Sequence, residues 1–306
     1  MATSPLTAQR RLSAQRIIPG VLLIAFWWPV AWLQLRPLSD YYFFPLWFGF
    51  ILLLDGVIEL RTGTSLLTRG SGRFALLFAG SVPFWWIFEV INRWLDNWHY
   101  HTPVIYSPLV YVLLASIAFS TVMPAVLEMT ELLASFGVGE RFPKLPAWKP
   151  NRRTIIALHL LGWLMLVSVI AWPHYAFPLA WLSIFFIIEP INALLGQRSI
   201  ASFVRDGNWA ALWNIMLATV CTGFFWEMWN YWSMPKWTYS VPFVGSAHLF
   251  EMPLLGYTGY LPFGLEVFAI FGLLFYLVFR RPQAYARVNR HDHSPRAFDR
   301  GSQNCL

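Results

Sequence analysis

Residues 74–94 read FALLFAGSVPFWWIFEVINRW, and the run from Phe74 to Phe88 carries no charge. A helix needs about 20 mostly apolar residues to cross the hydrocarbon core of a bilayer, so this stretch predicts a membrane span. The whole chain has the same character, since 57% of its 306 residues are hydrophobic and 12% are charged. A soluble domain has about 25% charged residues. The composition therefore excludes a soluble enzyme, and it predicts a polytopic membrane protein.

Seven further segments have the length and apolar character of a span. The fourth span is interrupted by Pro124, so it is either one kinked helix or two shorter helices. The eight predicted spans are 17–35, 41–60, 74–94, 108–127, 155–171, 177–195, 209–232 and 261–279.

The distribution of Lys and Arg predicts the orientation. These residues concentrate in the N-terminal arm, the turns after the second and sixth spans, the central linker and the C-terminal tail, whereas the opposite loops hold only Arg36, Arg93 and Lys236. The positive-inside rule then predicts a multi-pass protein of the cell inner (cytoplasmic) membrane with both termini in the cytoplasm. The net charge of +7 is explained by these flanks and by anionic lipid heads, so no nucleic-acid partner is expected.

The chain also contains an internal duplication. Several polar and aromatic positions recur with a displacement of 138 or 139 residues, and an acid in the second span recurs at a similar displacement. The pairs are Glu89 with Glu227, Asn92 with Asn230, Trp94 with Trp232, Trp98 with Trp237, Tyr100 with Tyr239, Pro124 with Pro262, Glu128 with Glu266, and Asp55 with Glu189.

The duplication predicts the domain organisation. We expect an N-terminal arm (1–16), a four-helix repeat (17–136), a linker (137–153), a second four-helix repeat (154–280) and a basic, disordered tail (281–306). Because each half holds an even number of spans, the halves have the same orientation and are related by a pseudo-twofold axis along the membrane normal. The predicted fold class is an all-α membrane protein in which duplicated residues surround a shared cavity.

Ionisable groups are costly inside a membrane, and they often mark functional sites. The candidate catalytic residues are Glu89, Glu227, Glu128 and Glu266, and a secondary acid pair, Asp55 and Glu189, lies nearer the cytoplasm. A purely structural role, in which a protonated carboxyl hydrogen-bonds a neighbouring helix, is about equally compatible with any single acid. The amides of Asn92 and Asn230 lie one helical turn from Glu89 and Glu227, so we expect them to donate to these carboxyls.

Most of the 18 tryptophans fall in the predicted outer half of the membrane or its loops. Interfacial tryptophans normally occur on both sides, so the asymmetry favours an aromatic-lined chamber in the outer half, although a one-sided belt would give the same pattern. The candidate substrate-binding residues are Asn92, Asn230, Trp94, Trp232, Trp98, Tyr100, Trp237 and Tyr239. No zinc-type spacing, phosphate loop or dinucleotide signature is present, so neither a metal nor a cofactor is expected.

A membrane acid, then Trp-x-Tyr, then a helix led by Pro and carrying an acid resembles the integral-membrane lycopene cyclase domains and the related carotenoid hydratases. The residues that carry this resemblance are Glu89, Trp98, Tyr100, Pro124 and Glu128, with Glu227, Trp237, Tyr239, Pro262 and Glu266 in the second half. The resemblance implies proton-initiated chemistry on a long isoprenoid, without a metal or redox cofactor.

Three functional hypotheses follow. The first is an enzyme that acts on a polyisoprenoid, such as a carotenoid, or on another lipid by acid and base chemistry. The second is a non-catalytic scaffold or a subunit that binds a pigment or lipid, with a possible membrane-protein partner. The third is a proton-coupled transporter, prompted by the parallel halves and the intramembrane acids. Membrane lipids and an apolar ligand are the expected partners.

Overall fold

The computed structural model describes residues 5–245 and 247–293. Almost all of the regular structure is helical, and four short strands lie in loops. The helices are α1 Pro5–Trp32, α2 Phe43–Thr62, α3 Leu66–Arg69, α4 Ser71–Leu95, α5 Pro108–Phe119, α6 Val122–Ser135, α7 Arg152–Ala171, α8 Pro173–Ala176, α9 Ala180–Leu194, α10 Ile200–Arg205, α11 Trp209–Asn230 and α12 Tyr260–Phe279. The strands are β1 Trp98–His101, β2 Lys236–Tyr239, β3 His248–Leu249 and β4 Met252–Pro253.

Eight helical segments of the described chain are long and apolar enough to cross a membrane, which confirms the predicted all-α polytopic fold. They agree with the predicted spans to within a few residues at most of their ends. The segments are Ser13–Trp32, Phe43–Thr62, Ser71–Leu95, Pro108–Ser135, Arg152–Ala171, Pro173–Leu194, Trp209–Asn230 and Leu254–Phe279.

The fourth span consists of two helices, α5 and α6, and Pro124 explains the break between them. Pro124 is the third residue of α6, a position where the missing N–H costs no helical hydrogen bond, and its ring excludes a helical carbonyl at Ser120. Buried Ser81 of α4 repairs the interrupted backbone, because its hydroxyl donates to Phe119 O (2.6 Å) and accepts from Met123 N (3.1 Å). Such side-chain repair permits irregular backbone at membrane depth.

The second half has a different structure before its equivalent proline. Pro262 is again the third residue of its helix, α12. The chain before it, however, forms the β3–β4 hairpin and a 3₁₀ helix, Leu254–Gly259, where the first half has α5. The two halves therefore share their long helices but differ beside this break.

Within each half, the first two long helices pack against each other, α1 on α2 and α7 on α9, and the halves meet mainly where α6 contacts α11. Glycine permits the closest approach. A Cβ atom on Gly20 of α1 would lie 2.7 Å from Leu53 N, and one on Gly162 of α7 would lie 2.7 Å from Ile187 N. Small residues at helix contacts are a common way to increase van der Waals packing within a membrane.

The turns after the second, fourth, sixth and eighth spans lie together at one end of the bundle, which we call the linker end. Arg61 donates to Ser135 Oγ (3.0 Å), and Asn214 accepts from Gly139 N (2.7 Å). The predicted disorder of the tail is wrong for residues 281–293, which pack at this end. Val288 is fully buried, and its carbonyl accepts from Asn214 Nδ2 (2.9 Å). Residues 294–306 of the predicted tail lie outside the described residues.

Candidate functional site

Strands β1 and β2 form an antiparallel ribbon at the opposite end of the bundle, which we call the ribbon end. Trp98 pairs with Tyr239, Tyr100 pairs with Trp237, and His99 pairs with Thr238. Each β1 residue has its repeat equivalent 139 positions later, in β2. Replacing both residues of the Trp98–Tyr239 pair by their equivalents gives the Trp237–Tyr100 pair. The same replacement leaves the His99–Thr238 pair unchanged. The register is therefore two-fold symmetric, as expected if the duplicated halves meet face to face.

Successive side chains of a strand alternate between its two faces. The two tryptophans and two tyrosines of the ribbon share one face. His99 and His101 lie on the other, where their Nε2 atoms hydrogen-bond Ser240 Oγ (2.9 Å) and Thr238 Oγ1 (2.8 Å).

Asn92 and Asn230 hold the ribbon to the ends of α4 and α11. Asn92 Nδ2 donates to Trp98 O (2.8 Å), and Asn92 Oδ1 accepts from Asn97 N (3.0 Å). Asn230 Nδ2 donates to Trp237 O (2.7 Å), and its Oδ1 accepts from Trp237 N (2.8 Å). We expected these amides to donate to the carboxyls one turn away. That expectation is wrong, because the amides pair with strand backbone instead.

Glu89 forms the first carboxyl socket, a term we use for a glutamate together with the aromatic groups that donate to it. Its Oε1 accepts from Trp85 Nε1 (2.9 Å), Trp98 Nε1 (3.1 Å) and the Tyr100 hydroxyl (2.7 Å). Two of these donors belong to the ribbon. The carboxyl of α4 therefore fastens the inner face of β1.

Glu227 forms the second socket, and it is fully buried. Its Oε1 accepts from the hydroxyls of Tyr239 and Tyr260, both at 2.7 Å. Trp237 Nε1 donates to the Tyr239 hydroxyl (2.7 Å), so it joins the same chain of hydrogen bonds. The second oxygen, Oε2, has no hydrogen-bond partner in the described chain.

The two sockets obtain their third aromatic group from different helices. In the first half it is Trp85, and the residue at the equivalent position of α11 is Gly223. A Cβ atom on Gly223 would lie 2.5 Å from the ring of Tyr260. Tyr260 of α12 takes the place of the indole, and its own counterpart in the first half is the smaller Val122. The large aromatic residue beside the carboxyl thus comes from a different helix in each half, while the ribbon tyrosine donates to the carboxyl in both.

A cavity of about 520 Å³ lies beside the inner face of the ribbon. More than half of its lining residues are aromatic, and they come from both halves, including Trp98, Tyr100, Trp181, Trp237, Tyr239 and Phe263. The predicted aromatic chamber is present. The predicted acids Glu89 and Glu227 do not line it, and the acid in its lining is Asp40. Each glutamate accepts a hydrogen bond from a tyrosine that does line it, Tyr100 or Tyr239.

The cavity reaches the surface of the bundle on the side of the first half. Tyr41 and Ile117 both line it, and they are 53% and 49% exposed. Tyr41 precedes α2 and Ile117 belongs to α5, so the cavity borders the surface beside these two elements. At the equivalent place in the second half, the ring of Tyr175 stacks on Phe243, with centroids 5.9 Å apart.

Burial raises the pKa of the Tyr100 and Tyr239 hydroxyls well above its ordinary value. The charge of the adjacent Glu89 carboxyl acts in the same direction on Tyr100, and that of Glu227 does so on Tyr239. Both phenols therefore stay protonated and act as hydrogen-bond donors over the whole physiological pH range.

Two predicted aromatic residues lie outside the cavity. Trp94 is 45% exposed and Trp232 is 56% exposed, and neither lines it. The indole of Trp232 packs edge-on against Trp32, with centroids 4.8 Å apart. Because both are on the bundle surface near the ribbon end, the belt interpretation explains them better than a role in binding.

Two predicted acids also lie away from the cavity. Glu128 is fully buried beside Asp55, Glu131 and Arg69 toward the linker end. Glu266 is fully buried between α12 and α9, and its Oε1 accepts from Phe185 N (3.3 Å). Their recurrence does not bring them into one chamber with the other glutamates, because a residue of α6 or α12 about one turn beyond its proline already lies away from the ribbon end.

The secondary acid pair anchors a short helix in each half. Asp55 Oδ2 accepts from Leu67 N (2.9 Å), and Glu189 Oε1 accepts from Ala201 N (2.7 Å). These N–H groups lie in the first turns of α3 and α10, where backbone donors otherwise lack partners. Asp55 also pairs with Arg16 (2.8 Å). The pair is thus placed in a structural role at the linker end.

Trp85, Trp181, Tyr260 and Phe263 also line the cavity, although they are not among the binding residues predicted from the sequence. Trp181 had a detectable signal, because it recurs 134 residues after Trp47, the same displacement that relates Asp55 to Glu189. Trp85 and Tyr260 had no such signal, since the equivalent residue in the other half is small or aliphatic (Gly223 and Val122).

No protein-family model matches the chain, and neither a curated protein nor a solved structure matches it. The resemblance to the cyclase and hydratase families therefore stays a prediction.

Proposed function

We propose that this membrane protein binds an apolar molecule, a lipid or an isoprenoid, in the aromatic cavity beside the ribbon. The observation that carries the proposal is the lining itself, which combines aromatic rings from both halves with very few polar atoms. A volume of about 520 Å³ is within the usual range for small-molecule sites, about 300–1,000 Å³. The opening beside Tyr41 and Ile117 would admit such a molecule from the surrounding bilayer.

A cavity-filling substitution tests this proposal. Ala118 of α5 lines the cavity, whereas Val112 of the same helix is exposed and does not. Protein purified in lipid nanodiscs would be analysed for co-purifying lipids and pigments. We expect a specific apolar molecule with the wild type and with the control Val112→Trp, and its loss from Ala118→Trp. An identical lipid and pigment profile in all three proteins would refute the proposal.

A second candidate is an enzyme that performs acid and base chemistry on the bound molecule. The observation in its favour is that Tyr100, Tyr239 and Tyr260 line the cavity and that their hydroxyls donate to a carboxyl. In such a reaction a protonated glutamate would give its proton to the tyrosine oxygen while the O–H proton of that tyrosine passes to an olefin, which leaves a carboxylate and a neutral phenol, with the rings stabilising the resulting cation.

Product analysis separates binding from catalysis. Membranes that contain the wild type, Glu227→Gln or Tyr260→Phe would be supplied with candidate isoprenoids. An enzyme would give a new product only with the wild type. Unchanged isoprenoids in every sample, together with ligand retained by the wild type, would remove the enzyme and leave the binding function.

The predicted orientation is also part of the proposal, with the linker end in the cytoplasm and the ribbon end on the outer face. Single cysteines at Asp206 (linker end) and Ser240 (ribbon end), in a background without Cys221 and Cys305, would be treated in intact cells with a membrane-impermeant thiol reagent. We expect labelling of Ser240→Cys alone. Labelling of Asp206→Cys alone would reverse the orientation.

A further inference from the structure

We propose that the cavity is specific for an amphiphile with a positively charged end, such as a quaternary ammonium or a protonated amine, which lies between the two carboxyl sockets. This inference rests on the proposed binding of an apolar molecule and adds the charge of that molecule. It follows from the charges around the cavity, from the direction of its hydrogen bonds and from its aromatic walls.

The charges around the cavity do not balance. The charged residues that line it are Asp40 and Lys236. Each already has an opposite charge, because Arg36 donates to Asp40 (3.1 and 3.2 Å) and Lys236 pairs with Glu251. Glu89 and Glu227 accept hydrogen bonds from tyrosines that line the cavity, and within residues 13–245 and 247–292 neither is in an ion pair. Two carboxyls therefore flank the cavity without a cation of their own.

The hydrogen bonds around the sockets all run toward the carboxyls. The hydroxyls of Tyr100, Tyr239 and Tyr260 donate their protons to the glutamates. A tyrosine has one O–H and additional lone pairs, so while these hydroxyls donate to the glutamates their oxygens have only acceptor sites left, and one such site of Tyr239 is taken by Trp237 Nε1 (2.7 Å). These hydroxyls offer no donor to an anionic head group, which itself has only acceptors. Their remaining acceptor sites suit a cation or an N–H donor.

The aromatic walls have the same polarity. Trp98 and Tyr100 of one strand and Trp237 and Tyr239 of the other all line the cavity, and the two-fold register places them in two equivalent pairs. The faces of aromatic rings carry partial negative charge, and quaternary ammonium groups are commonly bound by several such rings. Rings from both halves can therefore contact one cation.

A bound cation would also relieve a cost in the empty protein. Hydrogen bonds from phenols and indoles favour the charged form of a carboxyl, but burial without a counter-charge opposes it. Each socket provides hydrogen bonds to its carboxyl but contains no positively charged group. Glu227 is the clearer case, because it is fully buried and its Oε2 has no partner in the described chain. A ligand cation would supply the missing charge.

Three probes with the same alkyl chain test the inference: decyltrimethylammonium, decanol and decyl sulfate. Binding would be followed by tryptophan fluorescence of the wild type in nanodiscs, below the critical micelle concentration. We expect the cation to bind about tenfold more tightly than the alcohol, from cation–π contacts and the two carboxyls together, and the sulfate to bind least. Because the three probes partition differently into the bilayer, each affinity is divided by its measured partition coefficient.

The variants Glu89→Gln, Glu227→Gln and the double variant should reduce the ratio of cation affinity to decanol affinity. Asp206→Asn, at the exposed linker end, changes the net charge equally and should leave the preference intact. Circular dichroism and gel filtration identify any variant that fails to fold, and the wild-type ratio of cation to alcohol then decides by itself. Equal binding of cation and alcohol would overturn the inference and keep the apolar site. Binding of none of the probes would count against the proposed function as well.

Discussion

The two halves of the molecule build the same carboxyl socket from different parts. In the first half, Trp85 donates to Glu89 from one turn earlier on the same helix. In the second half, Tyr260 reaches Glu227 from another helix, and Gly223 leaves the space for its ring. Since both glutamates accept from the ribbon tyrosine of their own half while the third aromatic group changed helix, the arrangement of carboxyl and ribbon tyrosine is the constrained feature. The identity of the third aromatic residue is not.

The halves also differ in access. The first half carries helix α5 and the opening beside Tyr41 and Ile117, whereas the second half replaces α5 by a hairpin and a 3₁₀ helix. Glu89 is partly exposed and Glu227 is fully buried. The symmetric ribbon thus covers an asymmetric cavity, which would hold a ligand in one orientation.

The largest effect is expected when the tryptophan of the first half is placed at the equivalent position of the second half. Gly223→Trp would place a large side chain where a Cβ atom is already 2.5 Å from the Tyr260 ring. We expect destabilisation by about 4 kcal/mol or more, seen as loss of the monodisperse protein in gel filtration and a lower thermal midpoint. The double variant Gly223→Trp/Tyr260→Val copies the first half and should recover much of the stability. A Gly223→Trp variant as stable as the wild type would contradict the inference that Tyr260 occupies the place of the Trp85 indole.

Removal of each carboxyl measures how different the sockets are. Glu227→Ala leaves two buried tyrosine hydroxyls without their acceptor, which costs about 3 kcal/mol. Glu89→Ala should cost about 1 kcal/mol, because Glu89 is partly exposed and water can replace it. Thermal unfolding of the two variants in the same detergent checks the order. Equal losses, or a larger loss for Glu89→Ala, would show that burial does not distinguish the sockets.

The smallest effect concerns the two ribbon tyrosines, which should behave alike. Because burial raises the pKa of Tyr100 and Tyr239 above the ordinary value of about 10, the folded state holds these protons more tightly than the unfolded state. Their contribution to stability is complete below pH of about 10 and is lost as the pH rises through the folded pKa. The wild type and Tyr100→Phe/Tyr239→Phe should therefore show the same tyrosinate absorbance while folded. After unfolding at alkaline pH, the variant should lack the signal of two residues. Excess wild-type absorbance before unfolding would contradict the burial of these phenols.

Much of this architecture could be predicted because membrane helices follow from local composition and because the repeat reports residues under a common constraint. The repeat that relates Glu89 to Glu227 also identified Trp98, Tyr100, Trp237 and Tyr239, with one additional residue in the second half, and all four line the cavity. Trp85 and Tyr260 could not be found in this way, since a donor that changes helix leaves no matching pair.

Recurrence was misleading where it marks structure rather than binding. Asp55 and Glu189 recur because each caps a short helix, and Glu128 with Glu266 recur at a depth below the cavity. The depth of Glu128 and Glu266 in the membrane could not be predicted. It depends on where α6 and α12 begin, and α5 and the hairpin before α12 determine those positions. The order of residues 281–293 was also hidden, since it depends on contacts with distant turns such as that of Val288 with Asn214.

The central claim is that the two halves meet at the ribbon over one shared cavity, and a disulfide tests it most directly. Residues 99 and 238 are directly opposite in the register, where Cα atoms of antiparallel strands lie about 4.5–5.5 Å apart, within reach of a disulfide. In a background without Cys221 and Cys305, His99→Cys/Thr238→Cys should form an intramolecular bond in membranes under mild oxidation, detected by mass spectrometry of linked peptides. The off-register pair His99→Cys/Lys236→Cys should form far less. Free thiols in the first pair, or links only between separate molecules, would contradict the account.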